Sequence, residues 1–295
     1  MVAVITAFQP GDALVRACEA VTGQVGAVVV VDDGSPEPSP RLLEACRALG
    51  AVVERHETNR GIGAALGTGI ATARTILAGV LELGDEGHVL TLDQDSAVEA
   101  GYVDALLAAE LRARGAGLAV AMTGPERVEG IGGMVARRVG GTLIGREPIQ
   151  SGLLVPLEAM DELGGFADEL FIDGVDSEYY LRATTHGRVA VVAAGTRLAH
   201  RLGSAHAVGG RLALVHAAPF RYYYIARNRV ILVRRYWRTA PGWCARALAK
   251  DARHIFVTTA LVPGRRARWD NALAGLRDGL ADITGPRASQ AGRAG

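Results

Sequence analysis

The alternation of apolar, strand-like runs with helical patterns in the first half of the chain constrains its fold more than any other feature. The runs are continuously apolar, as in parallel strands that are buried on both faces. Parallel strands need long crossover connections, and the helical segments between the runs supply them. The sequence therefore predicts an α/β fold whose mostly parallel sheet has helices on both faces. The predicted strands are Val2–Thr6, Ala27–Val31, Val52–Arg55, His88–Leu92 and Leu118–Met122, and the predicted helices are Asp12–Thr22, Arg41–Leu49, Gly63–Leu83 and Tyr102–Arg114.

The pattern changes after about residue 125. Met134–Arg138 and Thr142–Ile144 predict a hairpin added to the sheet, and the chain becomes helical, aromatic and basic from Phe220. We divide the chain into a main domain (1–218), a basic helical segment (219–284) and a disordered tail (285–295). The remaining predicted strands are Leu153–Val155, Val189–Ala193 and Thr196–Ala199, and the remaining predicted helices are Leu157–Leu163 and Asp176–Thr185.

The net charge of +1 conceals two regions of opposite sign. Residues 1–220 carry 17 Arg and 27 Asp or Glu, whereas residues 221–270 carry 12 Lys or Arg and only two Asp. An acidic body with a net charge of −10 is thus joined to a segment with a net charge of +10. The last 25 residues add +1.

Composition bounds the class of protein. With 49% hydrophobic and 21% charged residues, the chain is neither disordered nor a disulfide scaffold. The three cysteines, Cys18, Cys46 and Cys244, form no CxxC pair, so we expect reduced thiols. We see no basic leader after Met1 and no apolar run approaching the ~20 residues that span a bilayer, so we expect a cytoplasmic protein.

Polar clusters follow three of the predicted strands: Thr6–Pro10, Asp32–Ser35 and Asp93–Ser96. Any one of them could be ordinary turn chemistry. Ligands of open α/β sheets bind at the carboxyl ends of the strands, and several carboxylates that meet there need a compensating cation or ligand. Asp93 and Asp95, one residue apart, are suited to a hard divalent cation such as Mg²⁺ or Mn²⁺.

A second acidic group contains Asp173, Asp176 and Glu178, where an extended segment meets a helix. These side chains could simply cap the helix and complement its dipole. A carboxylate there could equally serve as a general base, since burial near other carboxylates raises its pKa. His200 ends a predicted strand, and such a histidine is either structural or a metal ligand. Gly61–Leu66 superficially matches a dinucleotide motif, but it follows the third strand and ends in Leu, so we interpret it as a tight helix start.

The ordered set of motifs resembles the inverting family-2 glycosyltransferases, which have the GT-A fold with its Rossmann-like sheet. The resemblance extends over roughly residues 2–235. Within the family, Asp-Gln-Asp-Ser and Phe-Ile-Asp-x-Val-Asp-x-Glu look most like bacterial rhamnosyltransferases. The matching segments are Val30–Ser35, Asn59–Gly63, Leu92–Ser96, Gly164–Phe166, Phe171–Arg182, His200–Gly203 and Phe220–Asn228.

The resemblance implies how the donor is bound. Asp33 would hydrogen-bond the pyrimidine base, with Thr6 and Phe8 lining the same pocket. Arg60 and Gln94 would also bind the donor. One departure from the family is Gln9, which stands where relatives often carry Asn.

The resemblance also implies the catalytic groups. Asp93 would approach the nucleotide sugar, and Asp95 and His200 would hold Mg²⁺ or Mn²⁺. Asp176 would be the catalytic base, with Asp173 and Glu178 as alternatives. The remaining two residues assigned by the resemblance would face the diphosphate or the acceptor: Arg227 and Asn228.

The expected substrates and partners follow from that family. The donor would be dTDP-L-rhamnose, and the acceptor a polyprenyl-diphosphate-linked precursor of a cell-surface polysaccharide. The basic aromatic segment would hold the enzyme peripherally on the anionic inner face of the plasma membrane, although a plain solvated basic face is the alternative. Nucleic-acid binding is less favoured.

Other enzyme classes share parts of this pattern. A galactofuranosyltransferase or another glycosyltransferase could use the same scaffold. A sugar-phosphate nucleotidyltransferase would need basic residues in its first loop, which Ala7–Gly11 lacks. A catalytically dead membrane-binding protein is disfavoured because Asp93, Asp95 and Asp176 are all present.

Overall fold

The computed structural model describes residues 1–36, 39–80, 86–199, 204–208, 212–216, 218–261 and 263–287. Strands and helices alternate through the first half of the chain as predicted. The strands are β1 (Val2–Ala7), β2 (Ala27–Asp32), β3 (Val52–Arg55), β4 (His88–Asp93), β5 (Ala97–Val98), β6 (Val120–Val128), β7 (Gly132–Gly133), β8 (Val135–Val139), β9 (Thr142–Gly145), β10 (Leu153–Pro156), β11 (Val189–Ala199), β12 (Ser204–Val208) and β13 (Leu212–His216).

The helices flank this sheet and form the C-terminal part of the described chain. A 3₁₀ turn at Asp168–Leu170 precedes the sixth helix. The helices are α1 (Ala13–Val21), α2 (Pro40–Ala48), α3 (Ile62–Ala78), α4 (Tyr102–Gly115), α5 (Leu157–Leu163), α6 (Val175–Thr185), α7 (Arg221–Tyr236), α8 (Pro241–Leu261) and α9 (Arg265–Leu280).

The strand order places the acidic loops side by side. The main sheet runs β3-β2-β1-β4-β10-β6-β11-β9-β8, and β1 pairs in parallel with both β2 and β4. In this register Ala7 lies opposite Asp32, and Thr6 lies opposite Asp93. The carboxyl ends of β2 and β4 therefore meet at one edge of the sheet, on either side of β1.

The core lies on both faces of the sheet, as the continuously apolar strands require. Along β1, Val2 and Val4 belong to the cluster that packs under α3 and α6, while Ala3 and Ile5 belong to the cluster under α1 and α4. The predicted α/β architecture is therefore confirmed.

Two strands are longer than their apolar patterns suggest. β6 runs on to Val128, and β11 joins the two segments predicted at residues 189–193 and 196–199 into one strand. The reason is mutual pairing, because β6 and β11 pair in parallel beyond their apolar parts, as far as Val128 and Leu198. The hairpin of β8 and β9 is present as predicted, whereas the hairpin of β12 and β13 was not predicted.

The C-terminal helices are packed into the body. On α7, Tyr222, Tyr223 and Tyr224 are fully buried. At the start of the segment predicted to be a tail, Gly285 N–H donates to Glu169 O, and Arg287 N–H donates to the Tyr224 hydroxyl at 2.9 Å. Residues 288–295 lie outside the described chain. Among the described helices, none has both the length and the apolarity to cross a membrane.

Candidate active site

The Asp33 carboxylate, just beyond β2, holds the loop that starts α3. It accepts hydrogen bonds from the backbone N–H groups of Arg60 (2.9 Å) and Gly61 (2.8 Å), and it lies 2.7 Å from His56 Nδ1. Asp33 is only 4% exposed, whereas the Arg60 side chain is exposed. Because a carboxylate offers about four lone-pair positions, these contacts leave room for a further donor. The role of Asp33 in binding a base stays a prediction.

Gly61 brings this loop against the loop that precedes α6. Its φ of +92° lies in the left-handed region, and a Cβ atom there would stand 2.4 Å from the carbonyl oxygen of Phe171. That same oxygen accepts a hydrogen bond from Ile62 N–H at 2.8 Å. The interpretation of this glycine-rich segment as a tight helix start is confirmed, since α3 begins at Ile62.

The loops after β1 and β4 are tied together by one side chain. Phe8 N–H donates to Gln94 Oε1 at 2.8 Å, and Gln94 Nε2 donates back to the Phe8 carbonyl at 3.2 Å. Gln94 N–H also donates to the Thr6 carbonyl. Gln94, predicted to bind the donor, is thus the residue that positions Phe8, whose ring is 39% exposed at this edge.

Asp93 is positioned by two residues that sequence reasoning missed. The Gln150 side-chain amide donates a hydrogen bond to the Asp93 carboxylate, and the backbone N–H of Asp93 donates to Ser151 Oγ at 3.0 Å. The Ser151 hydroxyl is in turn 2.7 Å from that of Ser96. The sequence feature that could have predicted this contact is the polar Gln-Ser-Gly turn directly before the apolar strand β10. Because β10 pairs antiparallel with β4, it begins at the edge of the sheet where β4 ends.

The donor set at this edge suits a hard divalent cation. Asp93 and Asp95 supply carboxylate oxygens, which Mg²⁺ and Mn²⁺ prefer, and Asp95 is partly exposed. The predicted third ligand, His200, lies outside the described residues. The chemistry of the described donors is therefore compatible with the predicted metal.

Another group with metal-ligand spacing, Glu86, His88 and Glu110, lies at the opposite end of β4. Glu110 is fully buried, contacts His88 Nε2 at 3.1 Å and accepts a 2.8 Å hydrogen bond from Arg114 Nε. The Arg114 guanidinium therefore already supplies positive charge next to these carboxylates. It is separate from the predicted metal site.

The loop before α6 has an unusual backbone that α7 holds in place. Phe171 and Asp173 both adopt positive φ, at 66° and 62°. The Asn228 side-chain amide, fully buried on α7, directs its two N–H groups at three backbone carbonyls of this loop. These acceptors are the carbonyls of Leu170 (2.9 Å), Ile172 (2.8 Å) and Asp173 (2.6 Å).

Arg221, the first residue of α7, binds the Asp173 carboxylate and lies within electrostatic range of Asp93 and Asp176. Its guanidinium binds Asp173 at two points, with Nε 3.0 Å from Oδ2 and Nη2 on Oδ1. Burial alone would lower the pKa of Arg221, but the charges of Asp173, Asp93 and Asp176 raise it above its ordinary value. A fixed cation thus lies among the end of β4, the loop and the first turn of α6. Arg221 belongs to the Phe220–Asn228 motif, but the sequence predicted no role for it.

Asp176 has the properties of a base for neutral pH. Burial, together with the nearby charges of Glu147 and Asp173, raises the pKa of Asp176 to about 7, against the opposing effect of a hydrogen bond from Ser177 N–H. Glu147 is itself held by Trp243 Nε1 at 2.7 Å and by the Ser177 hydroxyl. A carboxylate with this pKa exchanges a proton readily near pH 7.

Glu178 is engaged elsewhere. It is 3% exposed, forms an ion pair with Arg182 at 2.7 Å and accepts a hydrogen bond from the Tyr236 hydroxyl at 2.8 Å. It therefore belongs to the interior packing of α6 against α7. The simple capping interpretation does not describe α6 either, because its N-cap is Gly174 and no side chain makes a cap hydrogen bond.

Arg227 and Asn228 do not face the open edge of the sheet. Arg227 is fully buried, donates to the carbonyls of Leu170 (2.9 Å) and Gly285, and has its guanidinium 4.8 Å from the Tyr224 ring centre. With its hydrogen bonds directed to backbone carbonyls, this pair holds the α6 loop rather than a diphosphate. The offset of six residues, nearly two turns, from Arg221 to Arg227 along α7 separates the edge of the site from the interior.

Comparisons with known proteins agree with this architecture. Residues 2–129 match the family described as glycosyl transferase family 2. A segment of 87 residues is 31% identical to the dTDP-rhamnosyl transferase RfbF of Shigella flexneri; it covers 30% of this chain and 29% of that protein. The crystal structure of S. aureus TarS 1–349 matches 94% of this chain and 80% of that chain, with a TM-score of 0.52 at 14% identity. The chain thus has the GT-A fold, and its resemblance to the family-2 enzymes and to a rhamnosyltransferase is confirmed.

Proposed function

We propose, from the premise that residues 2–129 match glycosyl transferase family 2, that this chain is an inverting glycosyltransferase that uses a nucleotide-sugar donor. One observation carries the proposal: at the carboxyl edge of the sheet, Arg221 binds Asp173 at two points and also experiences the charges of Asp93 and Asp176, which come from two further elements. That is the edge at which α/β sheets bind their ligands.

Asp176 is the proposed general base. At neutral pH part of the population carries an ionised Asp176, since its pKa is about 7. Its carboxylate takes the proton of an acceptor hydroxyl while that oxygen bonds to the anomeric carbon from the face opposite the nucleotide. The bond from the anomeric carbon to the diphosphate oxygen breaks, and the nucleoside diphosphate leaves with the electron pair. General-base assistance of this kind contributes ~10²–10⁴ in rate.

The departing diphosphate needs positive charge. We propose that Arg221, 37% exposed at the edge, supplies it in place of the buried Arg227. Asp95, Asp93 and His200 would hold Mg²⁺ or Mn²⁺, which supplies further charge to the diphosphate when bound. Thr6, Phe8 and Asp33 would form the base pocket.

We further propose a specific donor sugar, an acceptor and a location in the cell. The segment identical at 31% to a dTDP-rhamnosyl transferase supports dTDP-L-rhamnose as the donor, ahead of UDP-galactofuranose. We propose a polyprenyl-diphosphate-linked glycan of a cell-surface polysaccharide as the acceptor, with the enzyme held peripherally on the inner face of the plasma membrane. The chain spans 29% of that relative, so these assignments rest on the site and the motifs.

We keep residues 1–218 as the catalytic domain and 219–284 as the C-terminal segment. Arg221 and Asn228 of the C-terminal segment hydrogen-bond to the loop before α6, which belongs to the catalytic domain. We therefore propose that the two parts act as one catalytic unit.

The test is release of nucleoside diphosphate from dTDP-L-rhamnose, UDP-galactofuranose and UDP-glucose by the full chain, with and without Mn²⁺. We expect release from dTDP-L-rhamnose that Asp176→Asn reduces at least 100-fold, while a thermal shift with the donor persists. Asp104→Asn is the matched control, since Asp104 also lies in the first turn of a helix but on α4. Normal turnover by Asp176→Asn, or release from no donor, would refute the proposal.

A further inference from the structure

Helix α9 presents a stripe of large apolar side chains to solvent. Its four members follow one another at spacings of four, three and four residues, which places them on one face of the helix. Each is 42–68% exposed, although a side chain of this size usually contacts the core. We call these residues the α9 stripe: Trp269, Leu273, Leu276 and Leu280.

The other face of α9 is fixed against α7. A Cβ atom on Gly275 would stand 2.1 Å from the Tyr223 carbonyl oxygen, so the two helix backbones touch at this point. Buried Asp278 accepts a hydrogen bond from the Tyr223 hydroxyl at 2.8 Å. Because these contacts set the rotation of α9, the stripe cannot turn inward without breaking them.

Arginines border the α9 stripe. Arg265 stands four residues before Trp269, and Arg277 stands four residues after Leu273, so both are neighbours of the stripe on the helix surface. Arg266 lies three residues before Trp269, and its side chain is 95% exposed. Arg266 pairs with Asp270 at 3.9 Å and Arg277 with Asp278 at 2.9 Å, so the four arginines and two aspartates of α9 give the helix a net charge of +2.

This combination fits an anionic lipid surface. An amphipathic helix that lies in the membrane interface carries a Trp and Leu face with Arg or Lys beside it. A second copy of the chain fits less well, since stripe-to-stripe packing would bring the arginines of the two copies together. We propose that the α9 stripe and its arginines dock the protein on a bilayer containing acidic phospholipids.

This inference deepens the proposed function and rests on it, since a lipid-linked acceptor would then lie at the docked surface. It also narrows the membrane contact predicted for the basic aromatic segment (219–284) to one helix of that segment. Tyr222, Tyr223 and Tyr224 are buried and cannot contact lipid, so the contact is assigned to α9.

The test is co-sedimentation of the full chain with vesicles of phosphatidylcholine, with or without one third phosphatidylglycerol. We expect binding only to the acidic vesicles and weakening by salt. Replacing both Leu273 and Leu276 by Ser should reduce the partition coefficient about tenfold or more. Arg265→Gln with Arg266→Gln should reduce it several-fold. The matched control is Leu111→Ser, which alters an equally exposed leucine on α4 and should bind as the unmodified chain does.

Donor hydrolysis by the same proteins separates this inference from the proposed function. Hydrolysis without vesicle binding would overturn the docking surface and leave the function standing. Vesicle binding without hydrolysis of any donor would do the reverse. Self-association that is abolished by the double Ser variant, measured by sedimentation velocity without lipid, would assign the stripe to a second copy and overturn the inference.

Discussion

Arg221 and Asp173 are 48 residues apart in the chain, yet they form a two-point ion pair with Arg221 Nε 3.0 Å from Asp173 Oδ2. The pair joins the first residue of α7 to the positive-φ loop that leads into α6 and its Asp176. A planar guanidinium held at two points fixes direction as well as distance. The position of the proposed base is therefore set in part by a residue of the C-terminal segment.

We expect Arg221→Met to reduce nucleoside diphosphate release about 100-fold, because it removes both the loop contact and the cation next to Asp93. Arg221→Lys should recover only part of the activity, since an ammonium keeps the charge without the two-point geometry. The measurement is the steady-state rate at saturating donor. Arg238→Met, an exposed arginine just after α7, serves as the control. Equal activity of Arg221→Met and this control would remove Arg221 from the mechanism.

The pH dependence of the rate should report on Asp176. The base must be ionised, so the rate should rise with pH and reach half its maximum near pH 7. The charge of Glu147 raises the pKa of Asp176, so Glu147→Gln should move this midpoint to lower pH. The Gln side-chain oxygen can still accept the hydrogen bond from Trp243. The check is the midpoint of the kcat profile.

Exposed Glu129 allows a matched control, because Glu129→Gln makes the same chemical change away from the site and should leave the midpoint in place. A midpoint that Glu147→Gln leaves unmoved would mean that Glu147 does not act on Asp176.

Much of the architecture could be predicted from periodicity, because the apolar runs are buried strands and the polar loops lie at their carboxyl ends. The hydrogen bond from Gln150 to Asp93 could not be predicted in this way, since it depends on β10 running antiparallel beside β4. The choice between Arg221 and Arg227 is decided by how α7 is rotated against the body, which the sequence positions of two arginines six residues apart do not reveal. Motifs in the sequence therefore locate the site, whereas the contacts between side chains of different helices and strands are known only from the packed structure.

Asn228 should matter for stability more than for chemistry. Asn228→Ala leaves the carbonyls of Ile172 and Asp173 without their side-chain donor, whereas the Leu170 carbonyl keeps Arg227, and each buried unsatisfied group costs about 1–3 kcal/mol before relaxation. We expect the free energy of unfolding to fall by about 2–3 kcal/mol, as measured by urea denaturation. Asn271→Ala removes an exposed contact to the Ala267 carbonyl and a contact from Arg287 but leaves no buried loop carbonyl without its donor, so it should cost under ~1 kcal/mol. Similar costs for both variants would contradict a special role for Asn228.

Asp95 should act through the metal. We expect Asp95→Ala to weaken Mn²⁺-dependent donor binding while leaving the Mn²⁺-independent part unchanged, since carboxylate oxygens are the expected ligands. Isothermal titration with the donor, with and without Mn²⁺, measures both parts. Asp104→Ala controls for loss of negative charge elsewhere. An equal loss with and without Mn²⁺ would place Asp95 on the donor itself.

The raised pKa of Asp176 implies that the proposed base costs stability. The pKa rises from 3.8 in the unfolded chain to about 7 in the folded protein, so the folded state binds the proton more tightly. The resulting stabilisation is fully present below pH 3.8 and is lost as the pH rises through 7. The full shift is equivalent to about 4 kcal/mol, and the partial solvent contact of Asp176 reduces it, so we expect about 1–2 kcal/mol.

Asp176→Asn should therefore be more stable than the unmodified chain by that amount at pH 8, with the difference growing between pH 4 and pH 7 and constant above. Urea denaturation across this pH range measures it. Asp104→Asn should show a small difference that does not vary with pH, because Asp104 is exposed. If Asp176→Asn is less stable than the unmodified chain at pH 8, the carboxylate is a stabilising group there, and its assignment as a base kept near neutrality by burial is wrong.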